Sequence, residues 1–131
     1  MKYLLDANAV IALLNGHPAM NNRIRAEHPA NIGLPAIVAH ELYYGAFKSM
    51  RQERNVGLVD ALQFAVLTFD QEDARQAGEI RAELAKQGRP IGPYDVLIAG
   101  QTKARGLTLV THNVAEFKRV TGLAIEDWET E

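Results

Sequence analysis

The sequence predicts an α/β sandwich built around a central, mainly parallel sheet, and three observations carry that expectation. Short apolar runs of strand length alternate with longer helical segments along the chain, the pattern of parallel βα units. At 131 residues the chain can bury one core without disulfides or other staples. No internal repeat, low-complexity tract or linker interrupts it, and the only Gly/Pro-dense piece, GRPIGP at 88–93, is too short to divide domains. One domain spanning 1–131 is therefore expected. In such sheets functional groups gather beyond the carboxyl ends of the strands.

Tyr3–Leu5 reads as a short buried strand, and Ala9–Leu14 as a helix that ends near Gly16 and Pro18. Ala19–Glu27 is a second short helix. Ile32–Leu34 is a brief strand before Pro35, a residue suited to a helix's first turn, and that helix runs through AIVAHELYYGAF. Another helical run covers Gln52–Gln63, and the β-branched and aromatic Ala65–Phe69 is a strand. Over Gln71–Lys86, Ala74, Ala77, Ile80 and Leu84 form an apolar stripe at spacings of three and four. Pro93 opens the helix YDVLIAGQTKA, whose VLIA segment is apolar almost all round and so central; Gly106 ends it. Leu107–Val110 is a strand, and Leu123–Ile125 an edge strand. The apolar stripes over 37–47 and 74–84 are read as core rather than interface.

Composition narrows the functional classes. There is no cysteine, so no disulfide framework or thiolate metal site is available. Asp6 breaks the first apolar run too early for a signal-peptide core, and no window approaches a membrane span. A cytoplasmic protein is expected. Fourteen basic and sixteen acidic side chains give a net charge of −2, against wholesale electrostatic capture of nucleic acid. Local basic clusters remain, such as Lys48, Arg51 and Arg54, or Lys103 and Arg105; solvated helix faces are their simplest reading.

Four acids stand where chemistry is expected. Asp6 ends the first strand, although an N-cap would explain it equally well. Glu41 lies mid-helix among Val38, Leu42 and Tyr44, where a carboxylate must find an ion pair, an exposed edge or a shared cation. Asp95 sits in the first turn of its helix, favoured by the dipole yet at the tip of a nearly apolar rod. THNVAEF follows the fourth strand, so Thr111, Asn113 and Glu116 fall beyond its carboxyl end, as turn, cap or ligand. Oxygen-bearing side chains meeting at one edge suit a hard divalent ion, Mg²⁺ or Mn²⁺, and phosphodiester hydrolysis. His40 and His112 adjoin Glu41 and Asn113; solvated or hydrogen-bonded imidazoles are their simplest reading.

These residues carry a resemblance. LLDANAVIALL, the mid-helix acid of AHELYYGA, the block IRAELAKQGRPIGPYDVLIAGQTKARGLTLVTHNVAEF and the closing GLAIEDW together resemble a PIN-domain ribonuclease, of the VapC type found as the toxin of bacterial toxin–antitoxin pairs. The likeness covers essentially the whole chain. It implies a PIN-like three-layer α/β/α sandwich and a Mg²⁺- or Mn²⁺-dependent endoribonuclease, possible targets including tRNA. Asp6, Glu41 and Asp95 carry over as central acids and metal ligands, with Glu116 as the fourth catalytic acid and Asn8, Thr111 and Asn113 in support, Asn8 holding the turn. It further implies a homodimer and a cognate antitoxin that covers the groove, making a hetero-oligomer.

The sequence departs from the family pattern twice. Ala7 stands where Thr or Ser is usual between the first Asp and Asn, removing a hydroxyl near the acids. Asn113 stands where many relatives have Asp, leaving Glu116 to supply that charge. Both departures support a second reading, a catalytically weakened module that binds RNA or a partner without cutting. A third reading takes DANAV as the D-x-D-x-(T/V) start of a haloacid-dehalogenase-type phosphatase with Asp6 as nucleophile. Asn8 in place of the second Asp, Glu41, and the lack of room for a cap domain weigh against it.

Overall fold

The computed structural model describes residues 1–130; Glu131 lies outside them. Five strands, β1 (Tyr3–Leu5), β2 (Ile32–Pro35), β3 (Ala65–Leu67), β4 (Thr108–Val110) and β5 (Ala124–Glu126), form one all-parallel sheet in the order β3-β2-β1-β4-β5. Helices α1 (Ala7–Leu14) and α2 (Pro18–Ala26) connect β1 to β2, and α3 (Ala36–Phe47) and α4 (Gln52–Asp60) connect β2 to β3. The chain then returns across the sheet through α5 (Gln71–Lys86) and α6 (Pro93–Ala104) to β4, and α7 (Val114–Phe117) leads to β5. Helical crossovers run outward in two directions from β1 and β4, giving the expected α/β/α sandwich. The order of connection reverses between β1 and β4, so the crevice beyond their carboxyl ends is the topological switch point.

Central strands are buried on both faces: Leu4, Leu5, Leu109 and Val110 are all fully buried. The strand over Ala65–Phe69 is shorter than its β propensity suggests and ends at Leu67. The Thr68 carbonyl instead accepts from the side chains of Gln101 and Arg105, both at 2.9 Å, which draws the chain out of the sheet. The stripe of α5 also differs at its start, with Asp73 buried and Ala74 exposed ahead of Ala77, Ile80 and Leu84. Asp73 is drawn inward by Arg105, whose Nε and Nη2 donate to its two oxygens at 3.2 and 3.0 Å, and by Gln101 at 2.9 Å. It also closes a reciprocal cap with Asp70. Arg105 is therefore a structural cation, with the Asp73 carboxyl held below the usual carboxylate range despite burial.

Helix α6 is the central helix the VLIA segment implies, burying Val96, Ile98, Ala99, Gly100, Gln101 and Thr102. A Cβ at Gly100 would lie 2.6 Å from Ala77, so only glycine permits α5 and α6 to pack this closely. Because α6 runs back toward the amino edge before feeding β4, its first turn sits at the carboxyl edge. Among the described residues no helix is long and apolar enough to cross a membrane.

Candidate functional site

Asp6 caps α1 from extended backbone (φ −80°, ψ 173°), its Oδ1 accepting the Ala9 N–H at 2.8 Å. The cap uses only one oxygen. Oδ2 takes the hydroxyl of Thr111, which lies 105 residues away, at 2.5 Å, and that hydroxyl in turn accepts the Asn113 N–H at 3.0 Å. Asn8 is exposed in the first turn of α1 and does not hold the turn; Asp6 does. Asp6 and Thr111 are almost completely buried. Burial pushes the Asp6 carboxyl above its ordinary range, against the pull of Thr111 and the Ala9 N–H, and the charges of Glu129 and Asp127 add to the rise.

Glu41 is half-buried on α3, and its Oε1 is shut from solvent with no hydrogen-bond partner. Burial first, then the negative charge of Asp6, push its carboxyl up. Asp95, third residue of α6, is pushed up to about 7 by burial and by Glu116, with Glu41 and Asp6 adding to it. Glu116 holds its own charge because its Oε1 accepts the Gly92 N–H at 2.7 Å and its Oε2 accepts the Asn113 side-chain amide. In this pair the environment favours the charge on Glu116 and the proton on Asp95. Asn113 precedes α7 but its side chain caps nothing; it orients Glu116. Thus Asp6, Glu41, Asp95 and Glu116, from four separate segments, lie within electrostatic reach of one another at the switch point.

The terminal acids were missed as site neighbours by reasoning along the chain. Register could have found them: Glu126 pairs with Val110, so residues after β5 emerge at the same edge as Thr111. Asp127 Oδ2 lies 3.0 Å and Glu129 Oε2 3.8 Å from His112 Nδ1. The basic residues divide differently. Lys103 Nζ donates to the Thr121 carbonyl at 3.0 Å and Arg119 to that of Pro90 at 3.0 Å, whereas Arg54 lines an apolar groove of about 310 Å³ that reaches Glu41.

The donor set of Asp6, Glu41 and Asp95 is all oxygen, and Glu41 Oε1 lacks any protein partner, so these residues fit a hard divalent cation. Without a cation, bringing the carboxylates together is unfavourable, and that cost appears in the raised Asp95 carboxyl. With a cation bound, its charge would repay the desolvation of all three acids.

The family model for the PIN domain matches residues 3–123. The chain belongs to the PIN-domain family, the class that this parallel sandwich with acids at its switch point defines. It is 42% identical over 98% of both chains to the tRNA(fMet)-specific endonuclease VapC of Shigella flexneri. The toxin chain in the crystal structure of DNA-bound VapBC from Salmonella typhimurium superposes with a TM-score of 0.92 at 40% identity, covering 98% of each chain. VapBC2 from Rickettsia felis, bound to a promoter DNA fragment, gives 0.90 at 35%, covering 98% and 99%. Within its family the protein is thus a VapC-type endoribonuclease. The phosphatase reading falls with this assignment.

Proposed function

We propose that the chain is the toxin of a toxin–antitoxin pair that hydrolyses tRNA, with Mg²⁺ or Mn²⁺ held by Asp6, Glu41 and Asp95. The single observation that carries this reading is the orphaned Glu41 Oε1, buried within the field of Asp6 and near the raised carboxyl of Asp95. The metal when bound supplies a Lewis acid for a phosphate oxygen and a water of lowered pKa. The chain's own residues do the rest. Thr111 and the Ala9 N–H fix the two oxygens of Asp6, so it presents a preset carboxylate. Glu41 helps to orient the attacking water. Glu116, anchored by Gly92 and Asn113, holds its charge beside Asp95, and Arg54, which lines the same groove as Glu41, meets the RNA backbone.

The names of the relatives motivate initiator tRNA as the substrate, and VapBC complexes motivate an antitoxin seated over the acids, with the toxin as a homodimer acting in the cytoplasm. The test is cleavage of initiator tRNA by purified protein with Mg²⁺, with Mn²⁺ and with EDTA. Cleavage is expected only with metal, and Asp6→Asn should abolish it while leaving the fold intact, because Asn caps a helix as well as Asp does. Undiminished cleavage by Asp6→Asn would sink the assignment. Tight RNA binding without cleavage at any metal concentration would favour the weakened, non-cutting module that Ala7 suggests.

A further inference from the structure

The switch-point edge is crowded with carboxylates, yet its substrate is a polyanion, so donors to phosphate must come from somewhere along its rim. His112 directly follows Thr111, whose hydroxyl fixes Asp6. Its Nδ1 is 3.0 Å from Asp127 Oδ2 and 3.8 Å from Glu129 Oε2, and the side chain is 60% exposed. Asp127 Oδ1 in turn accepts the Glu129 N–H at 3.0 Å. These acids are fixed in place. Trp128 between them is buried, stands edge-on to Tyr3 at 4.8 Å, lies 4.6 Å from the Arg23 guanidinium, and donates its indole N–H to Glu126 at 3.0 Å.

The imidazole is therefore held at one nitrogen by a carboxylate that is itself anchored, while Nε2 makes no hydrogen bond among the described residues on a side chain that is mostly exposed. Pinning the tail requires nothing of this contact, because Trp128 and Arg23 already pin it. Asp127, Glu129 and Asp6 all favour the charged ring, the form in which both nitrogens carry a proton and Nε2–H is a charge-assisted donor. His40, the other histidine at this edge, leans on the Tyr94 ring at 5.7 Å instead of on a carboxylate.

We propose that His112 is a substrate-contacting residue whose Nε2–H donates to a phosphate oxygen of the RNA near the scissile linkage, and that Asp127 is its positioning residue. The assignment rests on the ribonuclease reading above. The experiment measures binding of a labelled short oligoribonucleotide in EDTA, together with kcat and KM for tRNA cleavage in Mg²⁺. His112→Gln is expected to weaken binding about tenfold, the worth of one charge-assisted hydrogen bond, with the loss in KM rather than kcat. His112→Arg, which keeps a charged donor, should restore most of it, and Asp127→Asn should show an intermediate loss.

A set of oligoribonucleotides, each with one phosphodiester replaced by a neutral methylphosphonate, separates contact from architecture. At one linkage the penalty of His112→Gln should vanish, as a double-mutant cycle requires of directly interacting groups. A His112→Gln protein that binds as well as the parent, or a penalty unchanged across the whole set, overturns the proposal. If the parent cleaves tRNA while His112→Gln binds equally, this proposal alone has failed. If the His112 penalty is present but the parent cleaves no RNA with any divalent ion, the contact stands and the nuclease reading has failed.

Discussion

Asp95→Asn is expected to abolish cleavage and yet make the metal-free protein more stable at pH 8. Burial and Glu116 push the Asp95 carboxyl from its ordinary value of 3.8 up to about 7 in the folded protein. Between those values the folded protein holds a proton that the unfolded chain has released. Stability is therefore full below about 3.8 and is lost as pH rises through the window to about 7, at roughly 1.4 kcal/mol per pH unit. A shift of this size would amount to ~4 kcal/mol, but the side chain is only half-buried, and solvent screening cuts this to ~2. Asparagine cannot ionise and so escapes that loss. It forgoes the attraction of an acid to the helix N-terminus, ~0.5 kcal/mol, so the burial effect wins and the variant gains ~1.5 kcal/mol at pH 8. Urea unfolding in EDTA at pH 4.5 and pH 8, followed by circular dichroism, measures this directly. The gain should be present at pH 8 and absent at pH 4.5, and Mg²⁺ should stabilise the parent more than the variant. A variant less stable than the parent at pH 8, or two parallel pH profiles, would refute the reasoning.

Two further outcomes test the frame that holds the site. Arg105→Met should cost about 2–3 kcal/mol near neutral pH, because Asp73 loses its forked partner while buried; the guanidinium's partial exposure keeps the figure below that of a fully buried pair. Since Asp73 is held below its ordinary value, its contribution is present above about 3.8 and fades as pH falls further, so the Arg105→Met deficit measured by thermal melting should shrink in acid. Trp128→Ala should cost about 3 kcal/mol and free the segment carrying Asp127 and Glu129. Its RNA affinity in EDTA should then fall toward that of His112→Gln, and an unchanged affinity would separate the tail from RNA binding.

Much of the site was legible along the chain because the cues are local. An acid ending an apolar run, an acid within a mostly apolar helix, and an acid just after a helix-opening proline each stand out within a few residues. Asp6, Glu41 and Asp95 stand out in this way, and the THNVAEF turn adds Thr111, Asn113 and Glu116 as candidates. Local reading failed where a side chain's partner was remote. Arg105, one of a basic pair expected on a solvated face, goes instead to Asp73, and that long-range pairing moved the buried stripe of α5 from Ala74 to Asp73. Asn8 was expected to hold a turn that Asp6 holds, because both are good caps and only backbone conformation distinguishes them.

The sequence by itself determined the alternation of strands and helices, the buried character of the central helix and the identity of the acids. These follow from periodicity, turn chemistry and the cost of burying charge, all set within a few residues. Only the tertiary structure decided the strand order that makes β1 and β4 neighbours, and with it the meeting of Asp6 with Thr111. It also decided that Glu41 Oε1 is left without a partner, that Glu116 is anchored by the Gly92 N–H, and that the acidic tail returns to His112. These are pairings between distant segments, and their energies depend on burial and distance that no stretch of chain carries alone.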